Sequence, residues 1–525
     1  MADVNKSNGA SKSEESARVA SPMSKQRSRP QLPTKVSTTS LRKRRRSSVM
    51  SHHSSALSLY HVDSAHNFEP QDLGDIDLDQ VPWWTSHRLR LAILCFLGFV
   101  SLYAQRVNLS IAIVSMVDHS STDHLNSSSS VVPEFSNSTY ANSTYNATAT
   151  TTTEAPADKC GVISKSATKG EFRWNKELEG LLLGAFFWGY LVFQVPGGRL
   201  SEKFGAKRVI GVAMFPVAIL NILSPVAART SPYLFLVVRV LVGLGEGVMY
   251  PAAQALWARW APPNERSRLI GFSYAGGQFG NALIFPIGGF LCAYGFDGGW
   301  PSVFYVIGSF GFLWCCAWVA FAHDSPDDDK TISEIEKQYI KRSIGQRNGG
   351  NKSLPWRAIL TSGAVWAIVV GHACGNYGAY MLLTKIPAYM KEVLKFDIKS
   401  NGLYSMLPYL TFWFVITLGS MMADSLITRG ILSIEWTRKL MSCIGTFGPA
   451  IFLIGTGFMD CTQQVGAVIM LTVSVGLCGF HFSGFFINHG DVAPAYAGTL
   501  FGISNTAATI PGILSPYIVS AMTKQ

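Results

Sequence analysis

The stretch VVRVLVGLGEG, Val237–Gly247, places two charged side chains, Arg239 and Glu246, in a run of residues that is otherwise apolar. A charge at bilayer depth costs about 2.5 to 3.5 kcal/mol on insertion scales, so a membrane helix that keeps two of them generally has a use for both. Seven residues return to nearly the same helix face, about 10 Å further along the axis. The two side chains are too far apart for a tight pair within one turn, so each needs a partner on another element.

The composition of the whole chain indicates a polytopic membrane protein. Only 15% of its 525 residues are charged and 48% are hydrophobic, whereas soluble domains average about 25% charged residues. Apolar stretches long enough to cross about 30 Å of hydrocarbon recur along the chain. We expect an all-α fold of about eleven spans, near residues 89–114, 178–198, 209–228, 233–256, 269–292, 301–322, 358–384, 402–423, 441–459, 464–486 and 498–520.

The basic residues are distributed as the positive-inside rule predicts. Lys and Arg cluster in the short turns within residues 199–208, 259–268 and 429–439, which all fall on one side of the membrane if the N-terminus is cytosolic. The net charge of +11 is therefore mostly a matter of topology. It does not indicate nucleic acid; the predicted partners are the lipid bilayer and a small anion.

The loop after the first span supports this orientation. Asn126, Asn137, Asn142 and Asn146 each begin an N-x-Ser/Thr sequon, and such sites are glycosylated only on the luminal or extracellular side. The cysteines Cys160 and Cys461 fall on that same side and could pair in an oxidising compartment.

The chain divides into four predicted segments. Residues 1–88 form a polar, disordered cytosolic tail, and residues 89–322 form a six-helix half with a glycosylated luminal loop at 118–176. A cytosolic loop, 323–357, contains EIEKQYIKRSI, Glu334–Ile344, whose charge spacing predicts a short surface helix. Residues 358–525 form a second half of five helices. The predicted total is therefore eleven, one fewer than the twelve that two paired halves of six would give.

One loop carries a recognisable signature. GRLSEKFGAKR, Gly198–Arg208, reads G-x-L-x-[D/E]-[K/R]-x-G-x-[K/R]-[K/R]. The pattern resembles the loop signature of the major facilitator superfamily, in which an acid and nearby cations latch two pseudo-symmetric halves at the cytosolic face. The resemblance assigns these roles to Glu202, Lys203 and Arg208.

Three further segments resemble the anion-cation symporter family, which contains sialin, the vesicular glutamate transporters and the type I sodium-phosphate cotransporters. They are LYAQRVNLSIAIVSMV (102–117), GEGVMYPAAQALWARWAPPNERSRL (245–269) and SGFFINHGDVAPAYAGTLFGISNTAATIPG (483–512). The resemblance implies transport of an organic anion or phosphate by alternating access, with H+ or Na+ as the coupling ion and no other cofactor or metal.

The same resemblance assigns three charged residues. Arg106 and Arg239 match the arginines that take the anionic group, and Glu246 matches the acid that takes part in proton coupling. The chemistry is consistent, because Arg stays protonated and offers a planar fork to carboxylate or phosphate. The alternative is a static charge network that only holds the first and fourth helices together.

Polar residues elsewhere are weaker candidates for the cavity. Tyr103 lies one helical turn before Arg106, at a position where sialin-like proteins line the cavity with tyrosine. Tyr377, Tyr380 and Asn505 are further candidate contacts, although each aromatic could equally be packing.

The histidines are interpreted as structural. The segment NHGD, with Asn488, His489 and Asp491, matches the family and is expected to stabilise a cytosolic helix end, with contact to the substrate as the alternative. His372 and His481 lie alone on apolar helices and are expected to be core histidines, with a role as proton carriers as the alternative.

Departures from the family narrow the subtype. Gly375 and Leu183 replace an arginine and a histidine of the vesicular glutamate transporters, which disfavours glutamate. Val242 and Gln254 replace an acid and a histidine of sialin, so proton coupling would depend mainly on Glu246 and Na+ stays an alternative.

A second function class, a truncated member that binds partners or full-length copies without transport, also stays open. No enzyme motif is found, and lysosomal, vesicular and plasma membranes are not distinguished.

Overall fold

The computed structural model describes residues 81, 83–117, 170–345, 354–394 and 398–522. All of these lie in one compact unit, residues 54–525. The four predicted glycosylation sites, Asn126, Asn137, Asn142 and Asn146, lie outside the described residues, as do Cys160 and the side chain of Cys461.

The described residues of the first half form eight helical segments. They are α1 (His87–Met116), α2 (Lys176–Val192), α3 (Gln194–Phe204), α4 (Ala206–Thr230), α5 (Pro232–Glu246), α6 (Met249–Trp260), α7 (Arg266–Tyr294) and α8 (Trp300–Phe321). Side-chain caps set several of their starts; for example, Ser86 accepts a hydrogen bond from the backbone of Leu89 at the start of α1.

A connecting helix and the second half follow. They comprise α9 (Glu334–Ile344), α10 (Trp356–Thr361), α11 (Gly363–Glu392), α12 (Ile398–Thr428), α13 (Ile434–Thr456), α14 (Gln464–Leu477), α15 (Phe485–Val492) and α16 (Ala497–Met522), with short 3₁₀ turns at 461–463, 478–482 and 494–496. No named strand occurs among the described residues, which contain one isolated bridge between Val117 and Phe172. The predicted all-α class is confirmed.

Each of the predicted spans overlaps one or two of these helices. Within the described part of the chain, seven helices, counting α5 with α6 and α14 with α15, are long and apolar enough to cross a membrane, and α2 with α3 forms an eighth span bent by 43°. The predicted spans in α7, α11 and α16 are less apolar than these helices, because glycines and polar residues interrupt their apolar sequence. Large apolar side chains such as Leu313 and Ile451, both 67% exposed, cover the outer surface, as lipid contact requires.

Backbone contact between α2 and α5 depends on glycine. A Cβ at Gly243 would collide with the carbonyl oxygen of Phe186, and one at Gly247 would lie 2.6 Å from the carbonyl oxygen of Tyr190. The G-x-x-x-G spacing in the opening stretch therefore permits close helix packing. This packing brings α5, with its two charges, against the helices of its own half.

We call the end of the bundle that carries the turns 199–208, 259–268 and 429–439 the basic end; it is the end predicted to be cytosolic. Here α3 packs against α16, with Gly198 directly against the backbone of Gly498, and α7 packs against α12. The connecting helix α9 also docks at this end. Its Glu336 accepts a hydrogen bond from the backbone N–H of Arg88 at 3.2 Å, and the Arg88 guanidinium forms ion pairs with Glu336 at 3.2 Å and with Glu265 at 2.7 Å.

Candidate functional site

A cavity lies between the two halves, with about 1010 Å³ of empty space including the part open to solvent. Arg106 is the one Lys or Arg side chain among the described residues that line it. Amide side chains line it as well, namely Gln278, Asn281, Asn376 and Asn505. Most of the remaining wall is aromatic, with Tyr103, Tyr190, Tyr250, Tyr380, Tyr409, Phe412, Phe482, Phe485, Phe486 and Phe501.

Arg106 lies in an aromatic cage. Its guanidinium carbon is 4.8 Å from the ring centres of Tyr103 and Phe186 and 4.6 Å from that of Tyr190. Its Nε donates a hydrogen bond to Glu246 Oε2 at 3.1 Å. The cage faces stabilise the cation and fix the direction of its fork.

The Arg106–Glu246 pair joins α1 to the end of α5, and each side chain keeps one atom that can form a further hydrogen bond. Glu246 is fully buried. Among the described residues, Arg106 Nη2 and Glu246 Oε1 have no hydrogen-bond partner. Buried polar atoms are normally satisfied, so such atoms require an explanation. The arginine can accept an added anion at Nη2, and the carboxylate can accept a proton at Oε1.

Arg239 does not line this cavity, although direct contact with the anion was predicted. Its Nη2 donates to the backbone oxygen of Arg106 at 3.2 Å, and its Nη1 lies 3.5 Å from Asn108 Oδ1. The side chain is 2% exposed. It is directed toward a polar chain inside the half, in which Asn108 donates to Asn221 at 3.0 Å and Asn221 donates to Gln105 at 2.8 Å. In this conformation Arg239 supports the backbone at Arg106.

The weaker candidates for substrate contact also differ in whether they line the cavity. Tyr103, Tyr380 and Asn505 line the cavity, whereas Tyr377 is half-buried and does not. Asn505 donates to the hydroxyl of Tyr190 at 3.0 Å and to Gln194 Oε1 at 2.9 Å, which links α16 to α2 and α3 across the two halves.

Several cavity residues were missed at the level of sequence. Tyr190 stacks on Arg106, and the Tyr250 hydroxyl lies 3.0 Å from that of Tyr103. Gln278 and Asn281 are three residues apart on α7, so they share a helix face. That spacing was available in the sequence, but nothing local distinguishes it from an amide pair on a solvated face.

The sequence of residues 94–516 matches the Major Facilitator Superfamily. The chain belongs to this superfamily. It is an integral membrane protein with several spans.

Particular superfamily members are similar over most of their length. Human sialin is 42% identical over 445 residues, which cover 85% of each chain. A putative inorganic phosphate cotransporter of Drosophila melanogaster is 39% identical over 434 residues, covering 82% of this chain and 77% of that one. The proton:xylose symporter XylE of E. coli aligns with a TM-score of 0.57 at 15% identity, covering 83% of this chain and 89% of that one, and so shares the fold. The predicted resemblance to the sialin and phosphate branches is confirmed.

The superfamily loop signature lies where the two halves meet at the basic end. Glu202 Oε1 accepts a hydrogen bond from the backbone N–H of Thr499, and Oε2 accepts one from its hydroxyl, both at 2.7 Å. Thr499 lies in the first turn of α16, where a carboxylate also interacts favourably with the helix dipole. Lys203 and Arg208 are exposed, and neither has an ion pair within the described part of the chain. Of the three predicted latch residues, Glu202 makes the contact between halves.

A second contact of the same kind lies on the other side of the pseudo-symmetric superfamily fold. Asp424, near the end of α12, accepts hydrogen bonds from the backbone N–H groups of Ser267 at 3.1 Å and Arg268 at 2.7 Å, in the first turn of α7. Beside it, Asp491 pairs with Arg266 of the first half at 2.7 Å and with Arg438 of the second half at 2.8 Å. Each half therefore presents an acid to a helix N-terminus of the other.

Proposed function

We propose that the protein carries a small organic anion across the membrane by alternating access, with H+ as the coupling ion and Glu246 as its carrier. The observation that supports this most directly is the buried Arg106–Glu246 pair at the wall of the cavity between the halves. The similarity to anion transporters is in accord with it.

The cavity favours an organic acid with one carboxylate over inorganic phosphate. Phosphate carries more than one negative charge near neutral pH, and Arg106 is the one Lys or Arg side chain among the described lining residues. Amides such as Asn281 and Asn376 can bind hydroxyl or amide groups of the substrate body, while the aromatic walls cover its apolar faces.

Coupling follows from competition for one guanidinium. While Glu246 is ionised, it holds Arg106 through Nε at 3.1 Å and reduces the attraction of Arg106 for an incoming anion. When Glu246 takes a proton, Arg106 is available to the substrate carboxylate. Each ligand therefore promotes binding of the other, and linkage requires the effect to be reciprocal.

The test is uptake into proteoliposomes under separately imposed pH and Na+ gradients, with sialic acid, glutamate and phosphate compared. We expect a pH gradient, acidic on the substrate side, to drive uptake of the organic acid. Glu246→Gln should abolish the response to the pH gradient while retaining exchange of substrate, because the amide mimics the protonated acid. Arg106→Lys should weaken binding, since an ammonium group lacks the planar fork.

The matched control is Glu435→Gln. Glu435 is an exposed acid that pairs with Lys439 on its own helix at the basic end, so its removal should leave coupling intact. Uptake driven by a Na+ gradient at equal pH, or proton coupling that survives Glu246→Gln, would contradict the proposed role of Glu246. Transport of phosphate in preference to the organic acids would contradict the proposed substrate class.

A further inference from the structure

Two buried histidines of the second half are joined through one hydroxyl group. His489 Nε2 lies 2.7 Å from Ser504 Oγ, and His372 Nδ1 lies 3.1 Å from the same oxygen. The three residues come from α15, α16 and α11, and all are at most 1% exposed. Neither histidine is part of the Arg106–Glu246 pair.

The direction of these hydrogen bonds can be assigned for the neutral state. His489 Nδ1 lies 2.9 Å from the backbone oxygen of Phe486, which can only accept, so Nδ1 carries the hydrogen. His489 Nε2 is then an acceptor, and the Ser504 hydroxyl donates to it. Ser504 Oγ in turn accepts from His372 Nδ1–H.

The same atoms can also hold an added proton without losing a hydrogen bond. If His489 Nε2 is protonated, it donates to Ser504 Oγ, and the Ser504 hydroxyl can turn to the backbone oxygen of Phe501, 3.1 Å away. Every polar hydrogen in this arrangement still has an acceptor.

His372 extends this chain toward the cavity. Its ring lies against the rings of Phe485, Phe486 and Phe501, which line the cavity, at centroid distances of 5.7, 4.6 and 5.4 Å. Its Nε2 has no hydrogen-bond partner among the described residues. The chain from His372 to His489 therefore runs from behind the aromatic wall to the end of α15.

The charges that face His489 belong to both halves. Asp491, two residues further on, pairs with Arg438 of its own half and with Arg266 of the first half. His372, whose ring centre lies 6.4 Å from that of His489, is a titratable neighbour within the second half, and His481 in turn is a neighbour of His372. From the first half, the Gln254 amide donates to the Phe486 carbonyl at 3.0 Å, the same oxygen that accepts from His489.

We propose that His489, connected through Ser504 to His372, is a proton-binding site separate from Glu246, and that its occupancy is linked to separation of the halves at the basic end. When the halves separate, Arg266 leaves Asp491 and Gln254 leaves the Phe486 carbonyl. Departure of Arg266 removes a positive charge from the surroundings of His489, and departure of Gln254 leaves the Phe486 oxygen to the His489 Nδ1–H. Both changes favour the cationic form of His489. By reciprocity, a proton on His489 favours the separated state.

The experiment measures the distance between the halves and does not require transport. Spin labels are attached to Asn264→Cys and Trp436→Cys, exposed positions on the two halves at the basic end, in protein reconstituted in lipid nanodiscs. The exposed cysteines Cys316, Cys374 and Cys443 are replaced by serine, and the parent without the pair gives the background. Lowering the pH from about 7.5 to 5.5 should raise the ratio of long to short distances about fivefold or more.

Two variants test the site and two separate it from other groups. His489→Gln should remove most of this pH response, and Ser504→Ala should weaken it, because the protonated ring then lacks its acceptor at Nε2. His481→Gln is the matched control, since His481 bonds Thr446 and lies outside the chain to Ser504. The response should also persist in Glu246→Gln.

The inference rests on the alternating-access part of the proposed function but not on its coupling ion. An unchanged pH response in both His489→Gln and Ser504→Ala would overturn it and would assign the response to carboxylates such as Asp491. Loss of the response in Glu246→Gln would overturn it as well. Failure of proton-coupled uptake with an intact, His489-dependent distance change would refute only the coupling role of Glu246.

Discussion

Replacing Glu202 by glutamine should open the basic end of the bundle. The Glu202 carboxylate accepts two hydrogen bonds from Thr499, each 2.7 Å long, and Thr499 belongs to the other half. Hydrogen bonds to charged groups contribute about 1.5 to 3 kcal/mol, against about 0.5 to 1.5 kcal/mol for neutral pairs. Loss of the charge should therefore cost about 1 kcal/mol per bond and about 2 kcal/mol in total. Because the bonds exist only when the halves meet, the ratio of closed to open protein should fall about 30-fold.

The assay is the same spin-label distance measurement, with labels at residues 264 and 436, at one pH near 7.5. Glu202→Gln should shift the distance distribution toward the separated halves. The control Glu435→Gln makes the same chemical change at the same end of the molecule, on a side chain that is 72% exposed and pairs within its own helix. It should leave the distribution unchanged.

An unshifted distribution in correctly folded Glu202→Gln protein would refute this reasoning. It would mean that the carboxylate charge contributes nothing net to closure, because its desolvation offsets the two hydrogen bonds. An equal shift in Glu435→Gln would refute it too, since the effect would then follow from the net charge of this face.

Two further predictions concern stability and docking. Gly243→Ala should destabilise the protein by about 1 to 3 kcal/mol, because the added methyl group collides with the Phe186 carbonyl. Gly289→Ala, with open space at its Cβ, should be neutral or slightly stabilising. Thermal unfolding in detergent measures both. Glu336→Gln should loosen α9, since it weakens the bond to Arg88, and faster hydrogen exchange across residues 334–344 would show this. Equal melting temperatures for the two glycine variants, or unchanged exchange in α9, would contradict the respective prediction.

The connecting helix could be predicted from sequence because its signals are local. The helix begins at Glu334 and ends at Ile344, as its charge spacing indicated. Ser333 accepts a hydrogen bond from the backbone of Glu336, acids occupy the first turn and bases the last, and Gly345 follows at a φ of 78°. Each of these features depends on residues only a few positions apart.

The direction of a buried side chain could not be predicted in the same way. Arg239 and Glu246 share a helix, yet only Glu246 contacts the cavity-lining guanidinium of Arg106, because the Arg239 side chain is directed to Asn108 and the Arg106 backbone oxygen. Similarly, Tyr380 lines the cavity and Tyr377, one turn earlier, does not. Periodicity gives the spacing along a helix, but the partner residues lie more than a hundred positions away in the sequence.

The arrangement of charges suggests how the cavity and the basic end communicate. The Arg106–Glu246 pair lies within one half, so an anion or a proton at this pair does not by itself break a contact between halves. Helix α16 supplies the connection, because Asn505 bonds the Tyr190 hydroxyl beside Arg106, and Thr499, six residues earlier, bonds Glu202. Six residues span about 9 Å of a rigid helix. An anion that displaces Asn505 from Tyr190 would therefore bias the same helix whose N-terminus closes the basic end, and substrate binding could favour opening without contacting Glu202.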